Sequence, residues 1–599
     1  MKKFQKNFSV LSIFMGHEAN ASIMNNGELV ASASEERFNK KKCYVGYPRK
    51  AIDFCIRFSK LSPKNLDEIV IVSKKLNIDQ IIVKRNSSFS IKDFLKEQEE
   101  YWYPIIYENK KRDYLEVFKD KIIKDRDFNF SKFLRNRKNL NKFKAFNEIC
   151  LETIINHLGV KRDKIYHIDH EKGHQYYGLY AAPEKFRKKC LVLTNEGMGD
   201  YSNLTVSKVK NGILQEIFST KKNRIGTLYK MITLLLGMKV SQHEYKVMGL
   251  APYASEYEIN KAYKVAFKNL FKVKGYGIFL KKKPKDFFFH FKKKLADCRF
   301  DGIAGALQRT VEETLVEWIK SCIKKSKVNS VILSGGVAQN IKAAIPISNI
   351  KELKSFHLNP SSGDSTLSIG GCYYASNLRK DLKIKNLNNI YLGPSYSKKD
   401  IKTELNKLMK NKKIVVKKIK DNKIVVKKLI EGKILGRFSG RMEFGQRALG
   451  NRSIIADPRN YEVVKKINSQ IKFRDFWMPF TPSMLKKHSK KYIVNKKKLD
   501  CPYMTKAFNI TFHFKNIAPA TIHPADSTTR PQLLEKKHNP SYYNLIEEFG
   551  KKTNVYCLLN TSLNLHGYPM VCSPKDAIFT FNNSNLDGLI LEDYLILRR

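Results

Sequence analysis

Apolar and small polar positions alternate near the start of the chain, in FSVLSIFMG and again in ASIMNNGELVASAS, where Asn26-Gly27 interrupts the pattern. Period-two alternation broken by Asn-Gly predicts strands joined by a tight hairpin. A turn at His17-Glu18 separates the first strand from that hairpin. AIDFCIRF reads as a helix and IVIVS at 69–73 as a buried strand. Residues from about 85 to 150 are aromatic and charged around YWYPIIYE and read as helical. KCLVLTNEGMGD at 189–200 is a strand running into a glycine turn, YSNLTVSKV a second strand, and TLYKMITLLLG a helix. IAGALQRTVEETLVEWIKSCIKK at 303–325 has the 3.6-residue period of an amphipathic helix. VNSVILSGGVAQNIKAAIPI reads as a strand, a Gly-Gly turn and a helix, the order that sets a phosphate against a helix N-terminus. YLGPSYS at 391–397 opens a second unit, so the boundary is expected near 385–390, dividing the chain into 1–388 and 389–599. KIVVKKIKDNKIVVKKL carries the hexapeptide KIVVKK twice, an accidental similarity rather than a repeat.

At 599 residues the chain exceeds what one core can hold, and 42% apolar content is enough for ordinary globular cores. The net charge of +56, from 112 basic against 56 acidic residues, changes the picture more. A nucleic-acid binder is one reading. A lysine-rich bias on solvated faces is preferred, because no basic stripe interleaved with aromatics forms a module. The ten cysteines include no CxxC pair, which removes zinc ribbons and dithiol redox sites and makes a reducing cytosol the expected compartment. No apolar run approaches the roughly 18–20 residues of a membrane span. The first residues, MKKFQK before FSVLSIFMG, imitate a leader. The strand reading is preferred, because the apolar pattern continues past the supposed cleavage point.

Candidate chemistry lies in polar loops after apolar strands. HIDHEKGHQYYG places His170 and His174 four apart, on one face of a helix, the arrangement metal chelation needs. Asp169 and Glu171 point elsewhere. Structural histidines are the competing reading, which weakens if oxygen ligands arrive from Glu196 in NEGMGD and Asp364 in PSSGDST. Two imidazoles and two carboxylates suit iron, manganese or zinc. SGGVAQN, with Gly335, Gly336 and Asn340, offers a turn for close nucleotide approach, and Lys246 in QHEYKVMGLAPY is either a phosphate contact or one more surface lysine. Further on, GRMEFGQRALGNRS sets Arg441, Arg447 and Arg452 beside Gly440, Gly445 and Gly450. Glycine permits positive φ or close backbone approach, and arginine presents a fork of donors to phosphate or carboxylate. Arg474 in FRDFWMPFTPS, Arg530 in HPADSTTRPQ, and Asn560, Thr561 and Ser562 in LLNTSLNLHGYP extend the same theme. Any one of these is readily a plain turn; together they point to a polyanion site.

In order, GHEANAS at 16–22, EERFNKKK at 35–42, HIDHEKGH, EYKVMGLAPY, SGGVAQN, PSSGDS, GRMEFGQRALGNRSIIADPR, RDFWMPFTPS, HPADSTTRPQ and LLNTSLNLHGYPMV resemble the O-carbamoyltransferases of the nodulation and antibiotic-biosynthesis (NodU/CmcH) type, over nearly the full length. The resemblance implies an α/β protein with an actin/Hsp70-like (ASKHA) N-terminal domain and a YrdC-like C-terminal domain. The second would make carbamoyl adenylate from ATP, taken with Mg, and carbamoyl phosphate; the first would pass the carbamoyl group to a hydroxyl of a small molecule or sugar. It further implies catalytic roles for His17, Lys42, Arg441, Arg447 and Arg474. Lys246, Gly335, Gly336, Asn340, Arg452, Arg530, Asn560, Thr561 and Ser562 would bind substrate or nucleotide, and His170, His174, Glu196 and Asp364 a divalent metal. A cytoplasmic enzyme of small-molecule substrates is expected, with nucleic acid disfavoured and a homodimer left open. Four departures stand out: Glu196 where the family usually has Asp, His17-Glu18-Ala19-Asn20 for His-Asp-Ala-Ser, Cys43 for a histidine, and Met478 where an arginine often sits. Competing readings are a tRNA-modifying threonylcarbamoyl transferase, a non-catalytic nucleic-acid-binding protein, and a sugar kinase on the same N-terminal fold, which would leave the last ~200 residues without a role.

Overall fold

Every residue of β1 (Ser9–Phe14) is buried, as a central strand covered on both faces must be. β1 pairs antiparallel with β2 (Asn20–Asn25), and β2 antiparallel with β3 (Glu28–Ser34). On its other side β1 runs parallel to β4 (Glu68–Val72), itself parallel to β5 (Ile165–Ile168), giving the order β3-β2-β1-β4-β5. The β2–β3 turn is Asn26-Gly27, at φ 48° and 75°, the left-handed pair that a type I′ hairpin requires. The computed structural model describes residues 7–137 and 140–598.

A second sheet repeats the plan. β6 (Lys189–Asn195) pairs antiparallel with β7 (Leu204–Lys210), and β7 with β8 (Ile213–Thr220). β6 runs parallel to β9 (Ser330–Ser334), and β9 to β10 (Ser355–Leu358), in the order β10-β9-β6-β7-β8. Hairpin strands on one side of the first strand and parallel strands on the other, twice over, is the actin/Hsp70-like architecture expected for this part of the chain.

Helices complete each half. α1 (Arg49–Ser59) covers the first sheet, where Ile52 and Cys55 are fully buried. α2 (His170–Ala181) leaves β5, α3 (Phe300–Ser326) is the long helix expected from periodicity, and α4 (Leu367–Asn377) follows β10. α2 and α4 occupy equivalent places in the two halves and cross in contact. A Cβ on Gly370 would lie 1.9 Å from the carbonyl oxygen of Gly173, so only glycine allows the approach. The aromatic 85–150 segment breaks into short helices such as Ile91–Lys96 and Tyr103–Tyr107 before a longer one at Lys142–Leu158. The helix expected after SGGVAQN is reduced to a 3₁₀ turn, Gly336–Gln339, and one short helix, Ala344–Ser348. The Asn340 amide exchanges two hydrogen bonds of 3.0 Å with Gln308 of α3, and its oxygen also accepts the Ala343 N–H, which ends the turn there.

The chain divides into two compact units, 1–388 and 389–599. The second is built on an eight-stranded mixed sheet. Its strands are β11 (Ile414–Lys418), β12 (Leu435–Phe438), β13 (Arg452–Ala456), β14 (Thr481–Leu485), β15 (Gln532–Leu534), β16 (Cys557–Ser562), β17 (Gly588–Leu591) and β18 (Tyr594–Arg598), in the order β11-β18-β17-β12-β13-β16-β14-β15. Phe438, Ile454, Leu559, Phe581 and Leu589 lie in its apolar core. The two KIVVKK copies diverge: the first forms edge strand β11, the second helix α5 (Lys423–Ile430). Among the described residues no helix is long and apolar enough to cross a membrane.

Candidate functional site

In the first unit, the start of α2 and the loops after β6 and β10 deliver four ligand-type side chains to one point. The donor atoms of His170, His174, Glu196 and Asp364 lie within 4.8 Å of one another. His174 Nε2 is 3.2 Å from His170 Nε2, 3.0 Å from a Glu196 oxygen and 3.7 Å from an Asp364 oxygen. His170 Nε2 is also 3.7 Å from that Asp364 oxygen. The helical spacing seen in the sequence puts both imidazoles on one face, and the tertiary fold supplies the oxygens. Glu196 is fixed by the Gly336 N–H, which donates to it; a Cβ on Gly336 would lie 2.9 Å from its carboxylate. Gly335 and Gly336 thus shape the turn that seats Glu196.

Burial disfavours protonation of His174, but Glu196 and Asp364 outweigh it and hold its pKa up at about 10. Burial likewise opposes ionisation of Asp364, yet the His174 hydrogen bond and the His170 charge keep it well below the usual carboxylate range. The buried Glu196 carboxylate and the partly buried Asp364 carboxylate therefore call for positive charge at this point. A proton on His174 supplies one; a divalent cation held by all four donors supplies two.

Residues around the cluster add what sequence reading missed. Asp200 is buried and accepts from the Ser73 hydroxyl (2.6 Å) and the N–H groups of Lys74 (2.7 Å), Lys75 (3.0 Å) and His170 (2.9 Å). It ties the end of β4 to the start of α2 and so sets His170 in place; its presence in NEGMGD was the available signal. Glu171 is buried, accepts from the Thr194 hydroxyl, and is pushed up to about 7, chiefly by burial. It stays outside the ligand set, as expected. Lys230, the one cation in TLYKMITLLLG, acts electrostatically on both His17 and Glu244. Burial pushes His17 down to about 4, with Asp364 opposing and Lys230 adding. Lys42 and Lys246 are half-buried. Asn340 is committed to Gln308.

The second unit resolves the arginine-glycine stretch into two groups. Gly440, Gly445 and Gly450 all have positive φ, of 55°, 94° and 111°. Arg452 is fully buried: Nη1 donates to the Ser439 (3.1 Å) and Asn451 (2.9 Å) carbonyls and Nη2 to those of Pro394 (3.3 Å) and Gly440 (3.2 Å), above the Phe438 ring. Arg441 donates to the carbonyls of Gly393 (3.2 Å) and Leu392 (2.6 Å). Glu443, unremarked in the sequence, is buried and accepts the N–H groups of Leu449 (2.6 Å), Asn451 (3.2 Å) and Arg452 (3.2 Å) with one oxygen. These three side chains hold the loop.

Arg447, Arg474 and Arg530 behave differently. Burial lowers the Arg530 pKa, the charges of Arg447 and Arg474 lower it further, and its Nε is buried with no hydrogen-bond partner. Arg474 Nη2 lies 3.4 Å from the Thr561 hydroxyl. Lys472, almost fully buried, donates to the Ser562 and Asn564 carbonyls and to the Asn564 side chain at 2.7 Å, fixing the 560–564 loop. The Asn560 amide donates to the Ala448 carbonyl (3.1 Å) and the Ser483 hydroxyl (2.8 Å). Arg474 thus reaches the polar loop, Arg447 and Arg474 act electrostatically on Arg530, and Arg441 and Arg452 brace the loop that carries Arg447.

Comparison with known proteins follows this division. Residues 10–373 match the family model for the carbamoyltransferase N-terminus and residues 426–598 that for the carbamoyltransferase C-terminus. Two uncharacterized proteins of Methanocaldococcus jannaschii are similar: one is 32% identical over 76% of this chain and 78% of its own length. The other is 30% identical over 98% of this chain and 99% of its own. The nodulation protein NolNO of Sinorhizobium fredii is 24% identical over 100% of this chain and 82% of its own.

Proposed function

Because the chain belongs to the carbamoyltransferase family through both its N-terminal and its C-terminal parts, we propose that it makes carbamoyl adenylate from ATP and carbamoyl phosphate. The carbamoyl group then goes to a hydroxyl of a small-molecule or sugar acceptor. The observation that carries this reading is the convergence of Arg447, Arg474 and Arg530. Three guanidinium groups repel one another at short range, and a multiply charged anion between them reverses the sign of the interaction. ATP, with its Mg, and carbamoyl phosphate are such anions and repel each other in turn, so one cationic pocket serves both.

The chemistry needs this pocket. Carbamate is a poor electrophile, and adenylation gives it a leaving group. Water first splits carbamoyl phosphate into carbamate and phosphate. A carbamate oxygen then attacks the α-phosphorus, the bond to the β-phosphate breaks, and pyrophosphate leaves. Arg447, Arg474 and Arg530 neutralise the charge that develops, while Asn560, Thr561 and Ser562 orient the reactants. Arg441 and Arg452 act by holding the loop that carries Arg447.

Transfer belongs to the first unit. There the acceptor oxygen attacks the carbamoyl carbon and the bond to AMP breaks. His170, His174, Glu196 and Asp364 would hold a divalent metal, iron, manganese or zinc, whose chemistry is that of a Lewis acid toward carbonyl or phosphate oxygen. His17 is assigned to the transfer site, Lys42 and Lys246 to the adenylate phosphate. Incubation with ATP and carbamoyl phosphate, without acceptor, is expected to release pyrophosphate and leave an AMP-linked product. No ATP consumption under those conditions would overturn the reading.

A further inference from the structure

A second convergence of donor atoms lies beside the first. His17, Glu18 and Cys43 each offer a nitrogen, oxygen or sulfur within 4.8 Å of the others. Neighbours in an extended strand point to opposite faces. Glu18 has φ 60°, which breaks that alternation just after β1 and lets its carboxylate turn to the side of the His17 ring. Cys43 is also left-handed, at φ 53°, with its N–H donating to Glu36 at 2.7 Å. A non-glycine residue in this region costs about 1 kcal/mol, and two of the three members of the triad bear that cost. Glu18 and Cys43 are 7% and 5% exposed, and His17 Nδ1 is buried with no hydrogen-bond partner. The Asn20 side chain couples the two clusters, donating to the carbonyls of Glu18 (2.7 Å) and Asp364 (3.1 Å).

We propose that His17, Glu18 and Cys43 bind a second divalent ion, zinc. A thiolate with an imidazole and a carboxylate is a zinc donor set. The His170-His174-Glu196-Asp364 cluster has no sulfur and is the harder of the two sites. On binding, the Cys43 thiol gives its proton to solvent and its sulfur forms the bond to zinc. Three protein ligands leave the fourth position open, as in catalytic rather than structural zinc sites. On the carbamoyl-transfer reading above, that position takes the acceptor hydroxyl and lowers its pKa. Cys43 and Glu18, departures from the family pattern, then carry the distinctive chemistry of this chain.

The test reads metal and not turnover, so it can fail while the pyrophosphate assay succeeds, and the reverse. After loading with zinc and dialysis, the full chain is expected to hold two ions and Cys43→Ser one. With cobalt as the probe, a near-ultraviolet thiolate-to-cobalt charge-transfer band is expected in the wild type and in His174→Ala, and none in Cys43→Ser. Zinc-edge X-ray absorption on the wild type, which needs no variant to fold, is expected to show a sulfur neighbour. A single ion per chain, a zinc with no sulfur neighbour, or a cobalt band that survives Cys43→Ser would each overturn the proposal.

Discussion

Arg447 and Arg452 stand five positions apart and do different work. Arg452 spends both terminal nitrogens on main-chain carbonyls, so removing it leaves those carbonyls buried and unpaired. Arg452→Ala is expected to lose at least about 3 kcal/mol in denaturant unfolding. Arg447 is only half-buried, so Arg447→Ala is expected to lose less stability than Arg452→Ala, and to lose pyrophosphate release by about a hundredfold or more. Equal stability losses in the two variants would refute this separation. His174→Ala should spare pyrophosphate release and block transfer to an acceptor; loss of both steps would count against a transfer role for the His170-His174 cluster. At Gly450, φ is 111° and a Cβ would lie 2.3 Å from the buried Tyr542 ring. Gly450→Ala should therefore cost about 2 kcal/mol or more, and an unchanged unfolding midpoint would contradict it.

At the scale of elements, one hexapeptide makes the point. KIVVKK is an edge strand in one copy and a helix in the next. In α5, Val425 and Val426 are buried, whereas Val415 and Val416 of β11 are half-buried. Val426→Ala is expected to cost about 2 kcal/mol and Val416→Ala clearly less; equal costs would mean that burial does not decide between the copies. Helix ends are set by single groups. Glu35 accepts the Ala51 N–H at 2.9 Å in the first turn of α1. Burial nonetheless raises its pKa from 4.5 to about 7. The folded state then binds more protons than the unfolded one between pH 4.5 and 7, so stability falls as pH rises through that window. Glu35→Gln keeps an acceptor and cannot ionise. Its stability relative to wild type should grow by about 2–3 kcal/mol from pH 4.5 to 8, and parallel pH profiles would show that Glu35 is not responsible.

Across the whole molecule, the two units divide the proposed reaction, and metal removal should expose the division. Chelator treatment of the intact chain, followed by removal of the chelator and assay with Mg and ATP, is expected to leave pyrophosphate release unchanged and to abolish carbamoyl transfer, with transfer restored by added iron, manganese or zinc. Loss of both steps would assign metal to the wrong half. Much of this layout was legible beforehand. The Asn26-Gly27 hairpin, the 303–325 helix and the His170-His174 pair are local patterns, and local patterns survive any tertiary arrangement that tolerates them. The duplicated sheet was legible only through the family resemblance, because the order of β1–β5 and β6–β10 is set by long-range strand pairing rather than by a local pattern. Asp200, Glu443 and Lys472 were missed for a related reason: each is one polar residue among many until the fold surrounds it with main-chain groups.

The sequence by itself determined residue type and local spacing: which side chains carry imidazole, carboxylate, thiol or guanidinium, and which neighbours share a helix face or a turn. Those follow from bond geometry over a few residues. Tertiary structure alone decided that Glu196 and Asp364 meet the α2 histidines, that Cys43 reaches His17, and that Arg441 and Arg452 are spent on main-chain carbonyls. Each depends on separations of tens to hundreds of residues closed by packing, and no local rule fixes where such segments cross.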